Sequence, residues 1–349
     1  MTDELLNGPR GRQFCLGVLT ATRPEIWTLA ARATASPQDQ GLAGELAEAL
    51  RSPASVEAAE SADSKALLAG LTEAVDTARY WQQPDEADAL LARPAIRLAL
   101  GPVAQALTDA LAAWWGRGFL DRDHQSFVQW TDERKGQPPD RGGEVRKLAD
   151  WKAAVLADER QAAKRPKNPT ANWGGWWSST PTPSGLVTTT RSLPDLGAVN
   201  LLLVEDGLGW KQATVWPLVP RTDCRVYEID GPAAWSELAA RYPMDVSLSK
   251  RHDWWRTTGI AGPWLLPDWA AVAADYDGVH LTLWGYLTTA GLALAARPSA
   301  AGPSVAVLER TVLAGWNPDE TYWLDDVLTP GAGPSDWRSE GSGRWSKQS

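Results

Sequence analysis

Cysteine is nearly absent. Cys15 and Cys224, one in each half of a 349-residue chain, are the only two. They leave no disulfide framework, and without a CxxC pair or a Cys/His cluster there is no zinc-site spacing, so no metal is expected. Such sparing use fits a reducing, cytoplasmic setting. Histidine is scarce as well, at three residues, so imidazole chemistry must come from His124, His252 or His280.

Positive charge is in deficit, with 34 Lys and Arg against 43 Asp and Glu and a formal net charge of −9. That balance argues against affinity built on neutralising duplex phosphates, and nucleic acid is not an expected partner. The one short basic run, Arg160 to Lys167, reads as the last turn of a helix. The first residues, Met1-Thr-Asp-Glu-Leu-Leu, carry acids where an export signal carries positive charge, and no apolar stretch follows. Gly278 to Ala296 lacks formal charge but holds His280 and three Thr, too polar for a membrane span.

Motifs of named chemistry are missing too: there is no G-x-S-x-G elbow, no H-E-x-x-H and no kinase set, which disfavours a serine hydrolase and metal chemistry. Asn7-Gly-Pro-Arg-Gly-Arg12 has the glycines of an anion-binding loop, but it follows no predicted strand and has neither dinucleotide nor P-loop spacing.

What is present divides the chain in two. Before residue 170 the apolar residues recur at helical spacing. Val103, Leu107, Leu111 and Trp114/Trp115 form one stripe, on a helix beginning near Pro102 and stopped by Gly116-Arg-Gly118; Val145, Leu148, Trp151 and Val155 form another. Beyond it come short β-branched runs bounded by turn residues: Val199–Glu205, Ala213–Leu218, Cys224–Ile229, Val279–Trp284 and Ser304–Leu308. Helices are predicted at 233–241 and 267–274, the first capped by Asp230. The pattern predicts an α+β fold: a mainly helical domain over 1–168, a mixed or antiparallel sheet domain with a few short helices over 169–329, and a flexible tail over 330–349.

Tryptophan is in excess: 21 residues, fifteen of them after residue 170. Packing explains most of them. The doublets Trp114-Trp115, Trp176-Trp177 and Trp254-Trp255 are different where they lie on strands, because neighbours on a strand face opposite ways and one of each strand-borne pair is then left to line a cleft or a partner surface. Asn172-Trp-Gly-Gly-Trp-Trp-Ser-Ser-Thr180, with Trp176, Trp177 and Ser178, reads as a ligand-lining loop.

The densest polar cluster is Lys250-Arg-His-Asp-Trp-Trp-Arg256. It suits anion binding by Arg251 and Arg256 beside Trp255, with His252 moving a proton; the plainer reading is an Arg-rich loop paired with surface acids. His280, in Asp275-Tyr-Asp-Gly-Val-His-Leu-Thr282, is expected to face a cleft or solvent, with Asp277 nearby. Glu228 and Asp230 share a strand face, and Glu228 is the better acid–base candidate because Asp230 has a helix to cap. These residues together predict an enzyme acting by acid–base chemistry (an elimination, cyclisation or group transfer) on an anionic small molecule, with no cofactor. The alternative from another class is a scaffold that docks a protein partner on its tryptophans. A further alternative rests on likeness. Ser178-Ser-Thr180 and Glu228-Ile-Asp230 are similar to the Ser-Thr-Ser strand and Glu-x-Glu pair of the ADP-ribosyltransferases, which implies an NAD-dependent transferase; no first-strand Arg matches. A cleft between the halves, reached by Arg10, Arg12 or Trp114, is a further expected site.

Overall fold

The computed structural model describes residues 2–116, 118–131, 137–194, 196–207, 209–298, 308–341 and 343–348. The chain opens with eight helices: α1 (Thr2–Asn7), α2 (Pro9–Thr22), α3 (Pro24–Ala35), α4 (Gln40–Leu50), α5 (Pro53–Glu60), α6 (Ser64–Asp76), α7 (Glu86–Leu91) and α8 (Pro94–Trp115). Proline sets many of the starts, standing in the first turn of α2, α3, α5 and α8, where its missing N–H has no intrahelical partner to lose. Asp39, Asp63 and Asp85 cap α4, α6 and α7 through backbone N–H groups. Pro102 does not start a helix but lies inside α8. The bond it forgoes is to Leu98, four residues back on the solvent side, whose side chain is 80% exposed, so water can satisfy the freed carbonyl.

Helices α2 and α6 meet backbone to backbone. A Cβ on Gly70 would lie 2.5 Å from Val18 Cγ2 and 2.8 Å from the Phe14 carbonyl oxygen, and one on Gly17 would lie 2.9 Å from Gly70 Cα. Two small residues therefore set the spacing of the helical layer.

After the helices come β1 (Gln125–Thr131), α9 (Glu144–Ala162), β2 (Thr188–Leu193), β3 (Gly197–Ala198), β4 (Gln212–Pro220) and β5 (Val226–Ile229). They are followed by α10 (Pro232–Arg241), β6 (Pro243–Asp245), α11 (Arg251–Thr258), β7 (Leu265–Pro267), α12 (Trp269–Val272), β8 (Gly278–Leu281) and α13 (Leu283–Thr289). Last are β9 (Leu294–Pro298), β10 (Leu308–Thr311), β11 (Glu320–Trp323), β12 (Leu328–Pro330), β13 (Ser335–Gly341) and β14 (Arg344–Lys347). Ten strands form one sheet in the order β14-β13-β4-β1-β2-β11-β8-β5, with β12 beside β4 and β3 beside β2. Pairing is antiparallel except at the β5 edge, which runs parallel to β8 with Glu228 opposite His280. The fold is α+β: a helical N-terminal region followed by a mixed, mostly antiparallel sheet with short helices.

Several local expectations change. β1 precedes residue 168 yet sits inside the sheet, between β4 and β2. The stretch beyond Thr329 does not hang free: β13 pairs with β4 and carries β14 at the edge. Over 199–205 there is no strand: Val199–Leu201 form a 3-10 turn and 202–205 are irregular. The strand expected at 279–284 stops at Leu281, because the Thr282 hydroxyl accepts the Gly285 N–H at 2.8 Å and starts α13. Of the strand expected at 304–308, only Leu308 lies among the described residues.

The core is continuous across both regions. One buried cluster includes Phe14 and Leu100 from the helices and Trp235, Trp254, Trp269 and Trp316 from beyond residue 170. Trp316 packs edge-on against Trp269, Trp235 and Tyr322, the geometry that indole quadrupoles favour. Among the described residues no helix is long and apolar enough to cross a membrane.

Candidate functional site

The cluster expected to be an Arg-rich loop is helix α11, ended by Gly259 in the left-handed region at φ +71°. A helix turns neighbouring side chains about 100° apart, so the doublet divides differently from a strand pair. Trp254 is fully buried, whereas Trp255 lines a cleft. Arg251 and His252 turn away from that cleft: Arg251 Nη1 donates to the Pro166 carbonyl at 2.7 Å, and His252 Nδ1 lies 3.2 Å from the Pro169 carbonyl, its Nε2 buried without a partner among the described residues. Both fasten the 166–170 segment to α11.

Trp176, Trp177 and Ser178 belong to an irregular stretch stitched to the same helix. Lys250 Nζ donates to the carbonyls of Trp176 and Ser178, the latter at 2.8 Å, and Trp254 Nε1 donates to the Trp177 carbonyl at 2.8 Å. Burial pushes the Lys250 ammonium down to about 8, against the pull of Asp253. Trp177 stacks on Trp176 at 6.2 Å and meets the tilted ring of Trp81 at 5.2 Å. Trp176 is 49% and Trp173 43% exposed. Ser178 is buried, its hydroxyl 2.8 Å from that of Thr180; this Ser-Ser-Thr stretch lies on no strand.

Arg256 shares a cleft of about 660 Å³ with Trp255 and with Arg12 of α2 and Asp88 of α7. The walls thus come from both regions of the chain. Asp88 is matched by Arg10 Nη2 at 2.7 Å and by Gln13 Nε2 at 2.9 Å, and Asp253 is matched by Arg256 at 2.5 Å. Arg12 has no carboxylate partner among the described residues. Its Nη1 donates to the carbonyls of Leu6 at 2.9 Å and Asn7 at 2.7 Å. Burial pushes its guanidinium down to about 10; Asp88 opposes the fall, and the nearby charges of Arg97 and Arg10 add to it. Arg256 Nη2 donates to the Trp173 carbonyl at 2.7 Å. Among the described residues no acceptor takes Arg12 Nη2 or Arg256 Nη1. An excess of positive charge therefore lines a cleft in a protein of net charge −9.

Glu228 and His280 stand apart from this cluster. His280 is buried, not turned to a cleft or solvent, because both faces of β8 are covered. Its Nδ1 lies 2.6 Å from Glu228 Oε2, and its Nε2 lies 3.4 Å from an oxygen of buried Asp319. Asp319 in turn takes Arg191 Nε at 2.8 Å. Burial works to lower the imidazole's pKa, but the hydrogen bonds and charges of Asp319 and Glu228 outweigh it and raise the group to about 9. Acidic and basic groups thus alternate along the chain Glu228, His280, Asp319, Arg191. It pins the segment after α8, since Arg191 Nη2 donates to the Phe119 carbonyl at 3.1 Å and Glu228 Oε1 accepts the Leu120 N–H at 3.1 Å. Asp277 serves the sheet instead, accepting the Arg225 N–H at 2.6 Å and tying together the starts of β5 and β8. Asp230 does not cap α10, whose cap is Gly231 with no side-chain bond.

Compared with protein-family models, with curated proteins and with solved structures, the chain matches none. The site must stand on its own geometry.

Asp319 and Arg191 carry no local signal that sequence reading could use, since they are 128 positions apart. The same holds for Glu205, whose buried Oε1 accepts hydroxyls from Tyr80 at 2.7 Å and Tyr286 at 2.8 Å. Burial pushes that carboxyl up to about 7, while the two hydroxyls and Arg10 hold it down. Among the described residues, no group of three or more His, Cys, Asp or Glu side chains is arranged to hold a metal ion.

Proposed function

We propose that this chain recognises an anionic small molecule in the cleft between its N-terminal helices and α11. The observation that carries the reading is that Arg12 and Arg256, from the two regions of the chain, line one cleft, each with a guanidinium nitrogen free of any acceptor among the described residues. Planar guanidinium groups suit carboxylate and phosphate oxygens by geometry as well as charge. Trp255 supplies an apolar wall for the body of the ligand, and Thr257 and Thr258 lie beside it. The same pair of cations favours negative charge developing in a reaction, so the cleft serves an enzyme of anionic substrates as well as a binding protein. Proton transfer is not assigned to His252, His280, Glu228 or Asp277, whose polar atoms are engaged elsewhere or turned away.

The test is calorimetric titration of pyrophosphate and citrate into wild type, Arg256→Lys and Arg256→Gln. The lysine variant keeps a cation opposite Asp253 and so keeps the fold. Losing a charged hydrogen bond weakens affinity by about tenfold or more, so both variants are expected to bind correspondingly less. Wild type that binds neither anion, or variants that bind as wild type does, would overturn the reading. The exposed Trp173 and Trp176 favour a second reading, a surface for a protein partner. Under the cleft reading Trp176→Ala leaves anion affinity unchanged.

A further inference from the structure

A second cleft, of about 420 Å³, opens where α8 ends against the β8–α13 turn. Its walls are Leu111, Trp115, Phe119 and Trp284, and its polar edge is Asp230 and Thr282. Asp230 and Thr282 stand just beyond the ends of the paired strands β5 and β8, each two positions after the Glu228–His280 pair. The Thr282 hydroxyl is spent on the α13 cap, whereas the exposed Asp230 carboxylate has no hydrogen bond or ion pair among the described residues. It is the one formal charge among the described lining residues. Trp115, buried in the wall, has an indole N–H without an acceptor among them. The C-terminal end of the 22-residue helix α8 borders the same space, its Trp115 carbonyl already accepting from Arg191 Nη1 at 3.4 Å.

This cleft is also held open in advance. Beyond α8 the chain is fixed at the Phe119 carbonyl by Arg191 and at the Leu120 N–H by Glu228. Arg191 itself is neutralised by Asp319 and packs over the Trp115 ring at 5.0 Å. A wall held in this way loses little entropy when a ligand enters.

We infer that this cleft binds a small protonated amine carried on an aromatic body with a hydrogen-bond acceptor: the ring lies among Trp115, Phe119 and Trp284, and the ammonium pairs with Asp230. The charge preference is opposite to that of the Arg12–Arg256 cleft and does not depend on it.

Three probes share one ring and differ in charge: tyramine, the alcohol tyrosol and the carboxylate para-hydroxyphenylacetate. Titration followed by NMR is expected to show tyramine binding about tenfold more tightly than tyrosol, with the carboxylate weakest, and this preference falling as salt is raised. Asp230→Asn removes an exposed, unpartnered carboxylate, so it folds as wild type and should bring tyramine and tyrosol to within about twofold of each other. Phe119→Ala should weaken both, while Arg256→Lys leaves both unchanged. Equal affinities for tyramine and tyrosol in wild type, a preference that survives Asp230→Asn, tightest binding of the carboxylate, or no binding of any probe at millimolar concentration would each overturn the assignment.

Discussion

Replacing His280 by Gln removes the imidazolium that sits between Glu228 and Asp319 and leaves their carboxylates facing a neutral amide. A pKa raised from 6.5 to about 9 corresponds to about 3 kcal/mol of folding free energy. Because the folded state holds this proton more tightly than the unfolded chain does, the contribution is complete below about pH 6.5 and is lost as pH rises through about 9. Lys250 acts in the opposite sense: its ammonium is held down to about 8 from 10.5, so stability recovers between those values. Wild-type stability alone therefore mixes two groups, and the difference between wild type and His280→Gln isolates one. Urea unfolding of both proteins from pH 6 to pH 10 should show the variant less stable by about 3 kcal/mol at pH 6, with the gap closing through about pH 9. Imidazole nitrogen shifts in NMR give an independent reading, with one of the three histidines titrating near 9. A stability gap that does not change with pH, or a His280 midpoint at or below 6.5, would refute the reasoning.

Glu205→Gln tests the buried carboxyl on the Tyr80 and Tyr286 hydroxyls. With its pKa raised from 4.5 to about 7, the wild-type group contributes stability below pH 4.5 that is lost by about pH 7, so the variant should show a shallower fall over that window by unfolding at successive pH values. Glu320, also raised to about 7 by burial despite its hydrogen bonds from Asn200 and Asn317, leaves a residual slope in the variant. Gly70→Ala should destabilise by about 1–3 kcal/mol through overpacking at the α2–α6 contact. Gly44→Ala, where a Cβ meets nothing within 4 Å, should instead stabilise by about 0.5–1 kcal/mol; thermal melts of the pair separate close approach from helix propensity.

The helices were legible because their signals are local. The stripe of Val103, Leu107 and Leu111 is a short-range pattern, although Pro102, read as the start of its helix, lies inside α8. Strand β4 and the end of β5 showed in the same way as β-branched runs. β1 did not, because Gln125–Thr131 lies among helical stretches and gains its partners only from residues far along the chain. The 250–256 cluster was visible as composition, but whether it made a loop or a helix decided which side chains met. As a helix, it sends Trp254 into the core and Trp255 and Arg256 to the cleft. Alternation along β8 suggested that His280 faces outward. Alternation separates two faces but does not say that one of them is wet, and here all four residues of the strand are buried. Asp230 and Glu228 exchanged roles for a comparable reason: Gly231 became the cap of α10, which left Asp230 free and Glu228 committed to His280.

Crystals soaked in tungstate give the most direct test of anion recognition between the two regions, since tungsten is located by its anomalous scattering whatever the natural ligand is. The arrangement of Arg12 and Arg256 predicts a peak between their guanidinium groups, beside Trp255, and loss of that peak in Arg256→Gln. Crystals in which tungstate gathers elsewhere and leaves this cleft empty would contradict it.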